Sequence, residues 1–408
     1  MLTNNHKKTA FKLILLFGLV SLFGDIVYEG ARSVNGPYLK TLGANAAMVG
    51  LVAGIAEFLG YGIRLVSGYF ADKTRAYWLF TFLGYGMLVS VPLLSLTGIW
   101  QIAVVFIIME RLGKAIRSPA RDTILSQATK QVGTGLGFAI AEVLDQIGAI
   151  SGPLIFAIFF MFLGRGERSL VDYQLGYSLL WIPLVLVIFC LIFAYRRVPN
   201  PELLEASVIK NPESDRLSRI FWIYTIFTFI TTLGFANFAL IGYHFKAKHI
   251  LTDAQIPLFY ALAMGVDALA ALAIGRTYDI FKTKHKNEKA GLITLIAIPA
   301  FSLFIPVLVF SEKFSLVLTG AIVWGIVMGF HETVMRSSIA DLTSLKKRGT
   351  GYGIFNAAYG LAIFIGSLIT GLLYENSILA VIVLSTIVEI AAIAVFFILK
   401  REVLTVNI

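Results

Sequence analysis

The sequence predicts an all-α membrane protein with twelve transmembrane helices in two pseudo-symmetric six-helix bundles. The chain of 408 residues is 58% hydrophobic and only 14% charged, whereas soluble proteins carry roughly 25% charged residues. Apolar runs of roughly 20 residues or more, the length with which a helix crosses a bilayer, recur along the chain. Short polar motifs of the first half also return in the second half.

The apolar runs define the predicted spans in order. They lie at 11–36, 44–71, 76–98, 100–126, 132–163, 173–195, 218–245, 253–280, 289–310, 313–343, 349–375 and 377–400. The polar stretch 196–217 is the longest between two spans and is rich in Pro, Glu and Arg. We therefore expect an N-terminal half at 1–195, a cytoplasmic linker at 196–217 and a C-terminal half at 218–408.

The loops differ in basic charge. An even number of spans puts both termini on one side, and most Lys and Arg outside the spans belong to the termini and the alternate loops on that side. The opposite loops carry only Lys40, Arg165, Arg168, Lys246, Lys248 and Lys313. Because cytoplasmic loops are enriched in Lys and Arg, we expect an inner-membrane protein with both termini in the cytoplasm.

The composition also limits which binding partners and which chemical activities are compatible with the sequence. The formal net charge of +10 is scattered over the loops, which fits contact with anionic lipid and not a nucleic-acid-binding face. The one cysteine, Cys190, excludes a disulfide framework and a cysteine-based metal site. No phosphate loop, nucleophile elbow or zinc spacing is present. We expect a monomer that is not an enzyme, with no catalytic residue, no metal and no cofactor.

Two motifs recur between the halves. Arg117-Ser118 with Asp122 returns as Arg336-Ser337 with Asp341, at an offset of 219 for both charges (336 − 117 and 341 − 122). Gly68 and Asp72 after the second span are matched by Gly275 and Asp279 after the eighth. Internal repeats of this kind are typical of secondary transporters.

Three motifs in this register resemble those of the major facilitator superfamily. GYFADKTRAYW, with Gly68, Asp72, Lys73 and Arg75, resembles the family's loop motif between spans two and three. Gly148-Ala-Ile-Ser-Gly152-Pro153 resembles the fifth-span motif that is associated in the family with proton-coupled exporters. ERLGKAIRSPARD resembles the fourth-span arginine motif, with Arg111 as the match and a different glycine pattern.

The resemblance implies a cavity lined by spans one, four, seven and ten, with access that alternates between the two sides of the membrane. The candidate substrate and proton residues are Asp25, Tyr28, Glu29, Arg32, Glu110, Arg111, Lys114, Asn237, His331 and Glu332. A cytoplasmic latch is expected from Gly68, Asp72, Lys73, Arg75, Arg117, Asp279 and Arg336, and a helix contact from Gly148, Gly152 and Pro153.

The charges of the first span carry the chemical argument. Asp25, Glu29 and Arg32 fall on one helical stripe, and each charge in hydrocarbon costs about 2.5–3.5 kcal/mol on insertion scales. We expect Asp25 or Glu29 to exchange protons and Arg111 to modulate that exchange. The alternative is a permanent ion pair, either Asp25–Arg111 or Glu29–Arg32. His331 fits a hydrogen-bonding role, and no ligand spacing supports a metal site built from it.

The sequence assigns no single role to the other acidic residues of the spans. Glu142 and Asp145 on span five fit the cavity and a contact with Arg117 equally well, and Asp267 is a further functional candidate. Glu389 in the last span has no evident role.

The expected function is proton-coupled export, by antiport, of a small amphiphilic molecule. One alternative is a facilitator or importer of a polar or anionic metabolite, held by Arg32, Arg111 and Lys114. A second is a membrane sensor that binds a ligand without moving it. The expected partners are a small-molecule substrate, protons and membrane lipid.

Overall fold

The architecture comes from a computed structural model of the chain. It describes residues 4–132, 134–164, 166–201, 217–285, 287, 289–343 and 348–405. Within these ranges the side chains of residues 4–6, 129–132, 134–139, 336, 340, 348, 349 and 405 lie outside the description.

The described residues form α-helices joined by short turns. The first half holds α1 (Asn4–Thr41), α2 (Ala46–Thr74), α3 (Tyr77–Gly86), α4 (Ser90–Leu93), α5 (Trp100–Val132), α6 (Thr134–Phe162), α7 (Leu170–Leu179) and α8 (Trp181–Arg197). The second half holds α9 (Arg219–Gly234), α10 (Phe238–Ala247), α11 (Gln255–His285), α12 (Ala297–Ser302), α13 (Ile305–Val309), α14 (Phe314–Glu332), α15 (Val334–Leu342), α16 (Arg348–Asn376) and α17 (Ile378–Thr405).

Eleven helical segments of the described chain are long and apolar enough to cross a membrane. They coincide with all the predicted spans except the fourth. That span is the 33-residue helix α5, which is long enough to cross at 1.5 Å per residue but contains the charged run from Glu110 to Asp122. The all-α membrane fold is thus confirmed, with its most polar span at the predicted fourth position.

Proline explains three interrupted spans. In the third span Pro92 lies in the four-residue helix α4, between 3-10 turns at Met87–Val89 and Leu94–Leu96. The sixth span divides between α7 and α8 just before Pro183. The ninth contains Pro299 and Pro306 and divides into a 3-10 segment at Ala290–Ile296 followed by α12 and α13. Proline lacks the N–H that the helical ladder requires, so these breaks follow from the sequence.

Two further spans are interrupted without proline. The seventh stops at Gly234 and resumes at Phe238, where the Asn237 side chain caps α10 by accepting a hydrogen bond from the N–H of Ala239 at 2.9 Å. The tenth is interrupted at the single residue Thr333, between α14 and α15. Non-helical backbone at membrane depth is tolerated only where protein or water satisfies its polar groups. The backbone polar groups at these two breaks therefore need partners inside the protein or in water.

The chain divides into two compact units. Unit 1 contains Met1–Gly43, Leu59–Lys210 and Asp253–Ala261, and unit 2 contains Ala44–Phe58, Asn211–Thr252 and Leu262–Ile408. The division falls within α2 and α11, so each unit includes a short segment from the other sequence half. The predicted half boundaries at 195 and 218 stay predictions.

Each unit has its own packed interior. In unit 1, α1 packs mainly against α6 and also against α5 and α8, with an aromatic group at one end formed by Tyr38, Phe156, Phe160, Tyr173 and Tyr177. In unit 2, α9 packs against α16 and α17. Many outward Leu, Ile and Phe side chains are exposed, as expected for surfaces that face lipid.

Candidate functional site

Glycines seat α1 closely against α6 in unit 1. A Cβ atom added at Gly152 would lie 2.7 Å from the backbone nitrogen of Gly30, and one added at Gly148 would lie 3.1 Å from Cβ of Asp25. Pro153, next to Gly152, is buried inside α6. Small residues allow helix backbones to approach in membranes. The predicted helix-contact motif thus lies against the face of α1 that holds Leu22, Asp25, Ile26 and Gly30.

Asp25 meets charged residues from two other helices. Its strongest charged neighbours are Asp145 on α6 and Lys114 on α5, followed by Glu29 one turn along α1. Two adjacent carboxyl groups repel each other when both are ionised, and a nearby ammonium relieves that repulsion. Two acids and one ammonium group from three helices therefore act on one another at this point of unit 1.

Tyr28 is surrounded by cations. Its phenolic oxygen accepts hydrogen bonds from Nη1 of Arg111 and, at 3.2 Å, from Nη1 of Arg32. Nζ of Lys114 lies 3.7 Å from the centre of the Tyr28 ring, and Cζ of Arg111 lies 4.5 Å from it. Cations over an aromatic face are attracted by its quadrupole, more strongly where water is excluded. The tyrosine gathers three positive side chains at one point of unit 1.

Two acids balance part of this charge. Arg111 lies 3.5 Å from Glu110, its neighbour in the chain, and Arg32 lies 3.7 Å from Glu29. Glu29 and Glu110 are both buried. We call this set of residues the charged cluster: Asp25, Tyr28, Glu29, Arg32, Glu110, Arg111, Lys114 and Asp145.

A small cavity opens on the cationic side of the charged cluster. It is lined by apolar side chains from three segments of unit 1 and by Tyr28, Arg32, Asn35, Glu110 and Arg111. The amide of Asn35 is oriented by Tyr177, whose hydroxyl donates to Oδ1 at 2.8 Å. Apolar walls with a few convergent polar groups are also found in small-molecule sites, but the empty volume of about 240 Å³ is below the roughly 300–1,000 Å³ of such sites.

The segment Asp253–Ala261 completes unit 1 and adds residues that the sequence did not single out. The hydroxyl of Tyr260 donates a 2.5 Å hydrogen bond to Oε2 of Glu29. Asp253 accepts from the hydroxyl of Tyr173 and from the N–H of Arg168, both at 2.6 Å. The start of α11 is thereby tied to α1 and α7.

The candidates of the second half lie in unit 2. Asn237 caps α10. His331 is buried, shares a 2.9 Å hydrogen bond with the hydroxyl of Tyr359, and lies against Phe235 with 4.9 Å between ring centres. Glu332 is the last residue of α14 and is partly exposed. Asn237 therefore lies in the break of the seventh span, and His331 of α14 packs against that break.

The expected latch residues are spread over both units. Gly68 packs against Pro119, where an added Cβ would lie 3.3 Å from the proline ring, and Gly275 packs against Thr333 at 3.4 Å. Each motif glycine thus meets the fourth span of its own half.

The charged latch residues lie in the following surroundings, and the latch stays a prediction. Asp72 is exposed and accepts from the hydroxyl of Tyr77 at 3.2 Å, and Asp279 is exposed as well. Arg117 is buried with its guanidinium 4.7 Å from the ring centre of Tyr85. Lys73 lies over the ring of Tyr69 at 5.7 Å. Arg75 has a positive φ of 52° just before α3, and the Arg336 side chain lies outside the described residues.

A bundle of membrane-spanning helices in two units, with charged residues buried inside both, is the architecture of a polytopic membrane transporter. The profile of the Major Facilitator Superfamily matches residues 15–335 and 226–407 of the chain. The chain belongs to this family, as its three motifs predicted.

Relatives and solved structures agree with this assignment. The chain is 38% identical over 398 residues to an uncharacterized protein of Mycobacterium tuberculosis, covering 96% of this chain and 94% of that protein. It is 28% identical over 389 residues to an uncharacterized MFS-type transporter of Methanocaldococcus jannaschii, covering 92% and 91%. A crystal structure of the nucleoside transporter NupG shares the fold, with a TM-score of 0.69 over 95% of this chain and 99% of that one at 14% identity.

Proposed function

We propose that the chain is a proton-coupled transporter that exports a small amphiphilic molecule in exchange for protons. The observation that carries the proposal is the juxtaposition of Asp25, Asp145 and Lys114 on three helices of unit 1. Intramembrane acids that face other charged groups are typical of proton relays. One proton shared by the two aspartates changes the net charge next to Lys114 and Tyr28. It therefore alters the electrostatic potential at the part of the charged cluster that lines the cavity.

The helix-contact motif supports export. Gly148 and Gly152 hold α6 against the stretch of α1 that carries Asp25. A change in the protonation of Asp25 therefore acts at a contact with little free space. The family associates this motif with exporters, and the direction of transport is proposed on that basis.

The test is substrate-driven proton movement in liposomes that contain the purified protein and a pH-sensitive dye. Substrates are first found by thermal stabilisation with a small-molecule panel, because a ligand at 100 times its Kd adds about 2.7 kcal/mol. Asp25→Asn and Asp145→Asn are expected to abolish proton movement. The control is Glu142→Gln, which changes an exposed acid one turn from Asp145. Normal proton movement in both aspartate variants would contradict the proposal.

A second candidate is uptake or facilitated diffusion of a polar metabolite that bears a negative group. The cavity that is lined by Arg32, Asn35 and Arg111 favours it, because a guanidinium binds carboxylate and phosphate groups with paired hydrogen bonds. Liposomes loaded on one side distinguish the two functions. Export requires a proton gradient for accumulation against the substrate gradient, whereas facilitated diffusion stops at equal concentrations.

The cytoplasmic latch remains part of the proposal. Asp72 and Asp279 hold corresponding positions in the repeated motif of the two halves, and their exposed side chains are available to basic partners in another conformation. Asp72→Asn is expected to shift cysteine labelling toward the state that is open to the cytoplasm. Unchanged labelling on both faces would exclude the latch.

The orientation is tested with single cysteines in a Cys190→Ala background, since Cys190 is the one natural cysteine and is buried. Lys73→Cys is expected to lie on the cytoplasmic side and Lys248→Cys on the outer side, and both positions are exposed. A membrane-impermeant maleimide added to intact cells should label position 248 and not position 73. The reverse pattern would invert the proposed topology.

A further inference from the structure

Glu389 is a carboxyl group that the charged cluster leaves unused. It lies in α17 of unit 2 and is fully buried, with 0% of its surface exposed. Its neighbours on the helix, Ile387 and Ile390, are exposed at 60% and 56% and face outward. The acid therefore points into the protein from a helix whose other face is suited to lipid.

The surroundings of Glu389 satisfy only half of its carboxyl group. Oε2 accepts a 2.8 Å hydrogen bond from the hydroxyl of Thr231. Within the described chain Oε1 has no hydrogen-bond partner. A Cβ atom added at Gly234 would lie 2.7 Å from Oε1. The absence of a side chain at Gly234 is therefore what makes room for the acid.

The position next to Gly234 is unfavourable for a negative charge. Gly234 is the last residue of α9, and the C-terminal end of a helix carries a partial negative charge from its unpaired carbonyl groups. A carboxylate that is buried without a cation is also strongly disfavoured. Both effects favour the binding of a positive species by Glu389.

Helices α9, α12, α13 and α16 and the 3-10 segment Ala290–Ile296 pack against α17. Among the described residues of these elements none acts on Glu389 as a charge, and Thr231 is its one polar partner. Other titratable side chains of α9 and α16 are held elsewhere in unit 2. Arg219 pairs with Glu402, and Glu375 accepts from the N–H of Ala46 at 2.5 Å. Tyr224 is bonded to the carbonyl of Met335, Tyr359 to His331 and Tyr374 to His244. No cation of the described protein neutralises the acid.

We propose that Glu389 is a proton-binding site of unit 2, at the break in the seventh span. Oε1 carries the proton while Thr231 holds Oε2. Release of the proton to water leaves a carboxylate that faces the end of α9, and the repulsion favours separation of α9 from α17. A metal ion is a poorer occupant, since in the described chain no group of three or more His, Cys, Asp or Glu could hold one. The site goes beyond the coupling proposed for Asp25 and does not depend on it.

The experiment is infrared pH-difference spectroscopy of the purified full chain, which detects the C=O stretch of a protonated carboxyl group. The wild type is compared with Glu389→Gln, which keeps the shape of the neutral acid and the acceptor for Thr231. The matched control is Glu402→Gln, which removes a partly exposed acid of the same helix that pairs with Arg219 at 3.4 Å. Thr231→Val removes the hydrogen bond to Oε2 and leaves the carboxyl in place.

The proposal expects a component of the carboxylic acid band at neutral pH that is lost in Glu389→Gln, kept in Glu402→Gln and shifted in frequency in Thr231→Val. Spectra of Glu389→Gln that match those of the wild type throughout the carboxylic acid region, or the absence of a carboxylic acid band in the wild type, would overturn it. Removal of the band by sodium chloride at constant pH would also overturn it, because the occupant would then be a metal cation. The Asp25→Asn variant in the same spectra tests the charged cluster separately.

Discussion

The hydroxyl of Tyr260 donates a 2.5 Å hydrogen bond to Glu29 Oε2, across 231 residues of sequence. Glu29 also lies 3.7 Å from Arg32, which in turn donates to Tyr28. The buried acid of α1 is therefore shared between a residue of its own helix and the start of α11. Any movement of the start of α11 away from α1 breaks this hydrogen bond to Glu29 and leaves that acid to the charged residues of α1 and α5.

Removal of the Tyr260 hydroxyl is the first prediction. A hydrogen bond to a charged group contributes about 1.5–3 kcal/mol, so we expect Tyr260→Phe to lower the free energy of unfolding by that amount. Denaturant titration of the purified protein measures it. Tyr195→Phe, at a tyrosine that is 43% exposed, is the control and should change the free energy by less than about 0.5 kcal/mol. Equal stability of Tyr260→Phe and wild type would show that Glu29 does not need this partner.

The cationic surroundings of Tyr28 give the second prediction. Arg111→Lys keeps the charge but loses the planar set of donors that reaches both Tyr28 and Glu110. We expect substrate affinity to fall by roughly 10-fold or more, since 1.4 kcal/mol corresponds to a factor of ten. Binding is measured by titration against a substrate found in the thermal screen.

Tyr28→Phe separates the roles of the hydroxyl and the ring in that site. It removes the acceptor and keeps the face on which Lys114 and Arg111 lie. A smaller loss of affinity than in Arg111→Lys is expected. A loss confined to Tyr28→Phe would mean that the substrate requires the phenolic hydroxyl and not the planar guanidinium.

The sequence predicted the family, the helical spans and the stripe of charges on α1, because spacing and hydropathy determine them locally. It left open whether Glu29 pairs with Arg32, and the structure brings those two together. Tyr260 could not be found, because its contact depends on how distant helices pack. The break in the seventh span had a signal in Gly234 and Asn237, a helix-ending glycine and a capping asparagine within an apolar run. Glu389 acquires a role only next to that break.

The contact between α1 and α6 gives the third prediction. A Cβ at Gly152 would lie 2.7 Å from the Gly30 backbone nitrogen, and backbone cannot move aside as a flexible side chain can. We expect Gly152→Ala to cost about 1–3 kcal/mol of stability, as overpacking does, and to abolish substrate-driven proton movement. The control is Gly62→Ala in α2, where an added Cβ meets nothing within 4 Å. That variant should be neutral or more stable, because alanine is favoured over glycine in a helix by about 0.8–1.0 kcal/mol.

The break in the seventh span gives the last prediction. The indole Nε1–H of Trp324 donates a 2.9 Å hydrogen bond to the carbonyl of Ala236, and the ring of Phe235 stacks on the indole with 5.6 Å between centres. Trp324 thus satisfies a carbonyl that the helical ladder has released. Trp324→Phe keeps an aromatic ring and leaves that buried carbonyl without its donor, which costs about 1–3 kcal/mol. Denaturant titration is expected to show this loss, whereas Trp222→Phe, at a tryptophan that is 49% exposed, is expected to change little. A continuous helix through residues 235–237 in Trp324→Phe, detected by slowed amide hydrogen exchange there, would show that the tryptophan imposes the break and does not merely cap it.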